Sequence, residues 1–168
     1  MTWDNERVAR AALTTVVQPG DSVTARRLLD MTAEEIWHRL LTDVDERWYE
    51  RARGTDVDQV MARSEKAMMR FLIPGDEEWP VGLDDLSWVG KSGMGGVPIG
   101  LWVLGPTRVN EASERSVAIV GCRAATSYGQ DVAMEMAHHL AQGHSDGTGR
   151  QVIVSGGAFG IDVAAHRG

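Results

Sequence analysis

The 168-residue sequence lacks the features that mark secreted, membrane-spanning or disulfide-stabilised proteins. It has a single cysteine, Cys122, so no internal disulfide can form and a reducing compartment is expected. No apolar run approaches the roughly 20 residues that a membrane-spanning helix needs. The charged segment 1–13 also lacks the apolar stretch of a secretory signal. We therefore expect a cytoplasmic protein with no membrane partner.

The sequence also lacks the excess of positive charge that is typical of nucleic-acid-binding domains. Its formal net charge is −7 at pH 7, whereas such domains usually present a basic face. Composition alone therefore argues against DNA binding. A nucleic-acid interaction has to be supported by local motifs.

The first seventy residues show the spacing of several short helices. Apolar residues recur at helical intervals over 4–17, and Pro19 with Gly20 then ends the pattern. Two helices around such a turn suggest a helix-hairpin-helix that offers backbone amides to a phosphate. Asp21 in the turn would repel a phosphate, however. A small helical packing domain over 1–70 is therefore the favoured interpretation.

Further short elements are predicted between this turn and residue 114. Ser22 is placed to cap a second helix, and Thr32 begins a capping-box pattern that opens a third. Shorter helices are expected over 46–52 and 56–69. The apolar intervals 71–73 and 100–105 that follow predict two strands. The glycine-rich interval 91–96 between them predicts a flexible loop, and 106–114 is expected to be a polar link.

From residue 117 onward the sequence alternates between strand and helix patterns. The run 117–120 is continuously apolar, as expected for a parallel strand buried on both faces, and 151–154 predicts a second strand. A helix over 128–142, capped by Thr126 or Ser127, is predicted between them. Strands alternating with helices build a parallel sheet with right-handed crossovers. The sequence therefore predicts an α/β fold.

Both predicted strands of this segment end in small residues, at the edge where parallel sheets bind ligands. Glycine lets an anion approach the backbone closely, and free amides at a helix start favour negative charge. Arg123 adds a guanidinium group whose geometry suits phosphate oxygens. The pattern predicts a phosphate site built from Gly121, Arg123, Ser155, Gly156, Gly157 and Gly160.

The residues alone do not decide which phosphate is bound. The spacing of Ser155, Gly157 and Gly160 matches the dinucleotide fingerprint, except that serine replaces its first glycine. The acidic residue that holds the ribose in that motif would lie beyond Gly168. An NAD-like dinucleotide, a nucleotide and a DNA backbone all fit.

No catalytic residue, metal site or cofactor is predicted. Cys122 lacks a paired base, and the neighbours His138 and His139 cannot share one helix face. The six tryptophans are scattered rather than interleaved with basic residues. We therefore expect them to pack in the core or between domains rather than to stack on bases.

Two long motifs, in 117–129 and 152–168, resemble the DprA/Smf family of bacterial DNA-processing proteins. The first reads V-A-I-V-G-C-R and continues to T-x-Y-G; the second reads V-I-V-S-G-G-A-F-G-I-D-x-A-A-H-R-G. Upstream, I-P-G-D-x-x-W-P and L-W-V-L-G are similar to the pieces that precede this core. The resemblance spans nearly the whole chain, although Cys122 stands where serine is common in the family.

The resemblance implies a protein that binds and protects single-stranded DNA and helps to load the RecA recombinase in natural transformation, without catalytic turnover. It implies a Rossmann-like domain over 71–168, incomplete at its C-terminus, after a small SAM- or helix-hairpin-helix-like domain over 1–70. The surfaces for homodimerisation and RecA contact are expected in the remainder of the full-length family core.

The resemblance also implies roles for individual residues. Arg123 matches the arginine that grips a DNA phosphate, and the segment 155–157 matches a loop that offers backbone amides to the strand. Gly160, Asp162 and His166 match positions for which we expect structural roles, as a tight turn, a helix cap and a residue on a helix face.

Two other interpretations belong to different classes. A nucleotide-processing enzyme of the phosphoribohydrolase type would carry a P-G-G-x-G-T loop with a following glutamate, and neither occurs before Gly168. Alternatively, the chain is an inactive fragment. A sheet of so few strands leaves apolar faces and an open edge unburied, which predicts poor solubility or partial disorder over 111–168.

Overall fold

The computed structural model describes residues 3–88 and 95–168, and it divides into two compact units between Val109 and Asn110. The first unit combines helices with an antiparallel strand pair, and the second combines helices with a parallel strand pair. This mixture confirms the predicted α/β class. Within the described ranges, no helix is long and apolar enough to cross a membrane.

The first unit begins with five short helices: α1 Asn5–Val16, α2 Ser22–Arg27, α3 Ala33–Thr42, α4 Tyr49–Arg53 and α5 Val57–Lys66. Polar side chains that accept a first-turn amide start all but α4, and the predicted capping box at Thr32 is present. The predicted helix over 46–52 begins only at Tyr49. The helix predicted over 56–69 ends earlier, because Met68 takes a positive φ of 53° and Met69 begins a strand.

The core of this unit lies between α1 and α3. Leu13 and Val16 of α1 are fully buried against Ile36 and Leu40 of α3. Trp48 covers part of this core, and the guanidinium carbons of Arg47 and Arg51 lie 4.4 and 5.3 Å from its ring centroid. The amphipathic helices therefore bury their apolar stripes against one another, as helical spacing predicts.

Residues 69–109 belong to the same compact unit as the helices. Strands β1 (Met69–Leu72) and β2 (Leu101–Leu104) pair antiparallel, with Phe71 opposite Trp102 and their ring centroids 4.5 Å apart. Arg7 of α1 donates to both carboxylate oxygens of Asp76, at 2.6 and 2.7 Å, and to the Phe71 carbonyl oxygen. The compact units therefore do not divide at the predicted boundary after residue 70, because these contacts tie the strands to α1.

The connecting segments are more regular than the sequence predicted. A 3₁₀ helix spans Val81–Leu86, where no regular element was predicted, and α6 (Val109–Glu114) occupies the expected polar link. The predicted glycine-rich loop over 91–96 lies largely outside the described residues. Most of the tryptophans are partly or fully buried as expected, but Trp88 is 72% exposed.

The second unit follows the predicted alternation, with β3 Ser116–Ala118, α7 Ser127–Gln142, β4 Val152–Val154 and α8 Ile161–Arg167. The strands pair in parallel, with Ser116 opposite Val152, and α7 is the crossover between them. Thr126 caps α7 by accepting the Gly129 amide at 3.2 Å. A core made mostly of alanines lies between the sheet and the helices: Ile119, Ala133, Ala137, Ala164 and Ala165.

Within the described chain, the parallel sheet is covered on one face only. Val117, Ile119 and Ile153 are buried or half-buried, with the last two against the helices, whereas Val120 is 74% and Val154 49% exposed. The expectation that strand 117–120 is buried on both faces is therefore wrong for these residues. No other described element of the second unit packs over the other face of this two-stranded sheet.

Candidate nucleic-acid interface

Two loops meet at the carboxyl edge of the parallel sheet, one after β3 (119–126) and one after β4 (155–160). The Ile119 amide donates to the Val154 carbonyl oxygen at 3.0 Å and extends the ladder by one bond. The Ser155 hydroxyl then donates to the Ile119 carbonyl oxygen at 2.7 Å. A side-chain hydroxyl thus takes the place of the next backbone amide as the donor to Ile119. The pairing of the two strands ends here, and the backbone beyond it makes no further ladder hydrogen bonds.

Gly160 brings the second loop against the backbone of the first. Its φ is +89°, and a β-carbon there would lie 2.3 Å from the Cys122 oxygen and 2.5 Å from the Arg123 oxygen. The next amide, that of Ile161, donates to the same Cys122 oxygen at 3.3 Å. Only glycine combines this conformation with so close an approach.

The buried side chain of Asp162 contacts both loops. It is 8% exposed, and its Oδ1 accepts the Gly121 amide at 3.4 Å. A β-carbon on Gly156 would lie 2.9 Å from its Oδ2, so its carboxylate lies against both loops. The expected role of Asp162 as a helix cap is wrong, because it lies in the first turn of α8 and Gly160 holds the N-cap position.

Gly121 and His166 complete the junction. A β-carbon on Gly121 would lie within 2.5 Å of the Ile161 side chain, so this position requires glycine. His166, on α8, has its Nε2 3.3 Å from the Ser155 carbonyl oxygen. The loop after β4 is therefore held at both ends, by its serine and by the start of α8.

Between these fixed ends lies a run of backbone amides that have no acceptor. No described residue accepts a hydrogen bond from the amides of Gly156, Gly157, Ala158 or Phe159. Gly157 has a φ of +72°, and no atom lies within 4 Å of the position that a β-carbon would occupy. The loop thus presents unpaired donors around an open space, which is the arrangement that binds an anion.

Arg123 carries a positive charge on the loop that contacts Gly160. Its backbone is held by the contact with Gly160, and the residue itself is exposed. Within the described ranges, no carboxylate or carbonyl oxygen pairs with its guanidinium group, which is therefore available to a ligand. The structure thus brings together all six residues of the predicted site: Gly121, Arg123, Ser155, Gly156, Gly157 and Gly160.

Sequence reasoning missed two features of these loops. The first is Asp162, whose carboxylate contacts both loops rather than capping a helix. The second is Phe159, which is 84% exposed within the second loop. An aromatic residue within a glycine-rich segment was the available signal. Among the residues that the structure describes, no group of three candidate metal ligands is found.

Within the described residues, two parallel strands, a crossover helix and a run of loop amides without acceptors form an α/β unit with a candidate phosphate site at its carboxyl edge. The sequence model of one family, DNA recombination-mediator protein A, matches residues 70–168, which is more than half of the chain. The chain therefore belongs to the DNA recombination-mediator protein A family.

Curated relatives carry a name consistent with this family. Two proteins of Mycobacterium tuberculosis, from strains CDC 1551 / Oshkosh and ATCC 25618 / H37Rv, are both named "Putative DNA processing protein DprA". Each is 45% identical to this chain over 106 residues, which cover 58% of this chain and 24% of the relative. The chain thus spans about a quarter of the length of these relatives. No solved structure matches it.

Proposed function

We propose that the second unit binds the phosphate backbone of single-stranded DNA, as part of a protein that processes DNA in recombination. One observation carries this proposal: within the described residues the amides from Gly156 to Phe159 have no acceptor, and their loop contacts the backbone of Arg123, whose guanidinium group has no partner there. Such a site fits any phosphate. Family membership and the DNA-processing name of the relatives favour DNA as its source.

The six site residues have two kinds of role: some fix the shape of the loops, and the others bind phosphate. Gly121, Ser155 and Gly160 fix the two loops against each other. Gly156 and Gly157 offer amides to one phosphate, and Arg123 adds a charged, forked donor to the same or the next phosphate. These contacts involve the backbone of the strand and not its base edges, so little sequence preference is expected.

The proposal reconciles DNA binding with a net charge of −7. Contacts between protein cations and phosphates release counterions, so affinity falls as salt rises, and the slope grows with the number of phosphates that are neutralised. A single arginine with a cluster of amides gives only a shallow salt dependence for this chain. Additional cationic contacts from the remainder of a full-length protein would make it steeper.

For the whole protein we extend the proposal in line with the family. It is a non-enzymatic cytoplasmic protein that protects single-stranded DNA, helps RecA to load during natural transformation, and forms homodimers. Its core is a Rossmann-like domain over 71–168 and beyond. Over 1–70 we propose a SAM-like packing domain rather than a DNA-binding hairpin, because the Asp21 carboxylate already accepts the Thr24 amide at the hairpin.

Fluorescence anisotropy of a labelled oligothymidine, titrated at several salt concentrations, tests the site. Arg123→Ala should weaken binding and reduce the slope of log affinity against log salt by about 0.7, the value for one phosphate contact on a single strand. Arg150→Ala is the matched control. It is exposed in the same unit but precedes β4, at the opposite end of the strands. Equal binding by Arg123→Ala and the parent chain would refute the placement of the site.

A further inference from the structure

Phe159 is exposed although burial would stabilise it. The residue is 84% exposed, whereas a packed phenylalanine removes 150–250 Å² from water. It stands between Gly157 and Gly160, both at positive φ. A large apolar ring on a loop that is itself held in a special conformation requires an explanation other than packing.

The position of Phe159 within the site supplies that explanation. The residue carries one of the unpaired amides and directly precedes Gly160, whose Cα lies against the backbone of Arg123. Phe159, the amide donors and the backbone of Arg123 therefore lie at one edge of the sheet. A nucleotide has the complementary groups, because its phosphate accepts hydrogen bonds and its base has an apolar face.

A second exposed aromatic residue directly follows the other loop. Tyr128, in the first turn of α7, is 77% exposed. Its neighbour Gly129 approaches the Ile161 side chain, with 3.7 Å from an added β-carbon to Cδ1. The first turn of α7 therefore lies beside the start of α8, so an exposed aromatic residue lies in or next to each loop at the same edge.

We infer that Phe159 stacks on a base of the strand whose phosphate the loop amides hold, which makes the site one for single-stranded nucleic acid rather than for phosphate alone. This inference rests on the proposed function. Stacking tolerates any base, because every base has a π-face. It also requires an unpaired strand, since the bases of a duplex are covered by their neighbours.

Burial against another protein segment explains the same exposure less well. The exposed valines Val120, Val152 and Val154 lie on an open sheet face, where an apolar partner would leave no polar group unpaired. Phe159 instead lies among amides that have no acceptor. An apolar segment covering Phe159 would bury these amides without partners, which is costly.

The test compares two labelled strands of equal length and charge, oligothymidine and an oligomer of abasic deoxyribose phosphates, by anisotropy with the 168-residue chain. The parent should prefer oligothymidine by about 5- to 150-fold, the range for one stacked base. Phe159→Ala should abolish this preference without changing the affinity for the abasic strand. Phe159→Trp should keep it within about threefold, since tryptophan also offers a stacking face.

Met136→Ala is the control for loss of an exposed apolar side chain. It is 52% exposed on α7 and lies eight residues after Tyr128, about two turns from the site. We expect no change in either affinity. Circular dichroism should show unaltered helix content in every variant, since these side chains are exposed.

The outcomes separate the two proposals. Equal affinity of the parent for both strands would overturn stacking and leave the phosphate site standing. Equal weakening of both strands in Phe159→Ala would also overturn it, because a structural effect on the loop does not distinguish bases. If the parent bound neither strand, the proposed function would fail and the stacking role with it.

Discussion

The contact between Gly160 and the loop after β3 gives the sharpest prediction, because Gly157 provides a matched comparison. Both glycines have positive φ, at +89° and +72°. An added β-carbon has open space at Gly157, but at Gly160 it would lie 2.3 Å from the Cys122 oxygen. Alanine at either position tests the backbone conformation, and only alanine at Gly160 also tests the approach of the loops.

The magnitudes follow from these two differences. Gly157→Ala should destabilise the second unit by about 1–2 kcal/mol, the cost of a left-handed conformation for an L-residue. Gly160→Ala adds overpacking of about 1–3 kcal/mol to a backbone cost of about 1–3 kcal/mol. The expected total is about 2–6 kcal/mol, and the clash is relieved only by moving the loops apart. Binding of oligothymidine should therefore be lost in Gly160→Ala.

Amide hydrogen exchange measured by mass spectrometry is the appropriate assay. All six tryptophans precede residue 110, so tryptophan emission does not report on the second unit. Peptides covering 117–126 and 152–163 should lose protection strongly in Gly160→Ala and modestly in Gly157→Ala. Peptides of α1 and α3 serve as the internal reference and should be unchanged in both.

Equal loss of protection in the two variants would refute this reasoning. It would mean that backbone conformation alone determines the cost and that the loops are not in contact at Gly160. Retention of oligothymidine binding by Gly160→Ala would refute the proposed site, since that site depends on contact between the two loops.

Two further predictions concern stability. Asp76→Asn should destabilise the first unit by about 2 kcal/mol, seen by urea unfolding with tryptophan emission, because Arg7 loses charged hydrogen bonds. Those bonds hold the pKa of Asp76 below its usual value. The advantage of the parent in free energy of unfolding is therefore fully present above the unfolded-state pKa of about 3.9, and it disappears as pH falls through the lower folded-state pKa. An advantage that stayed constant as pH fell through the acidic range would contradict this. Thr126→Ala should cost about 0.5–2 kcal/mol and accelerate exchange in the first turn of α7, whereas unchanged exchange there would show that the cap contributes nothing.

Local sequence patterns predicted most helices and strands, and they also predicted which two loops meet at the carboxyl edge of the parallel sheet. Caps such as Thr32 and Thr126 involve residues a few positions apart, so their geometry can be read directly from the sequence. The loops after 117–120 and 151–154 were predicted to meet because parallel strands share a carboxyl edge. That inference needs only the order of elements.

Long-range contacts account for what the sequence did not reveal. The division at Val109 depends on Arg7 with Asp76 and on Phe71 with Trp102, pairs that are distant in the sequence. The hydrogen bond that joins Asp162 to the other loop is donated by an amide forty-one residues earlier in the sequence. Neither leaves a periodic signal, because each is a single pairing rather than a repeated pattern.

The alanine-rich interface between α7 and α8 has a consequence for how the site is maintained. Ala133 and Ala137 face Ala164 and Ala165, so the two helix backbones approach as closely as methyl groups allow. The helices start at the two loops of the candidate site, so the spacing between the helices sets the distance between the loops. A single added methylene in this interface would separate the two loops without altering any residue of the candidate site. The alanines therefore determine the geometry of the loops as well as contributing to the stability of the core.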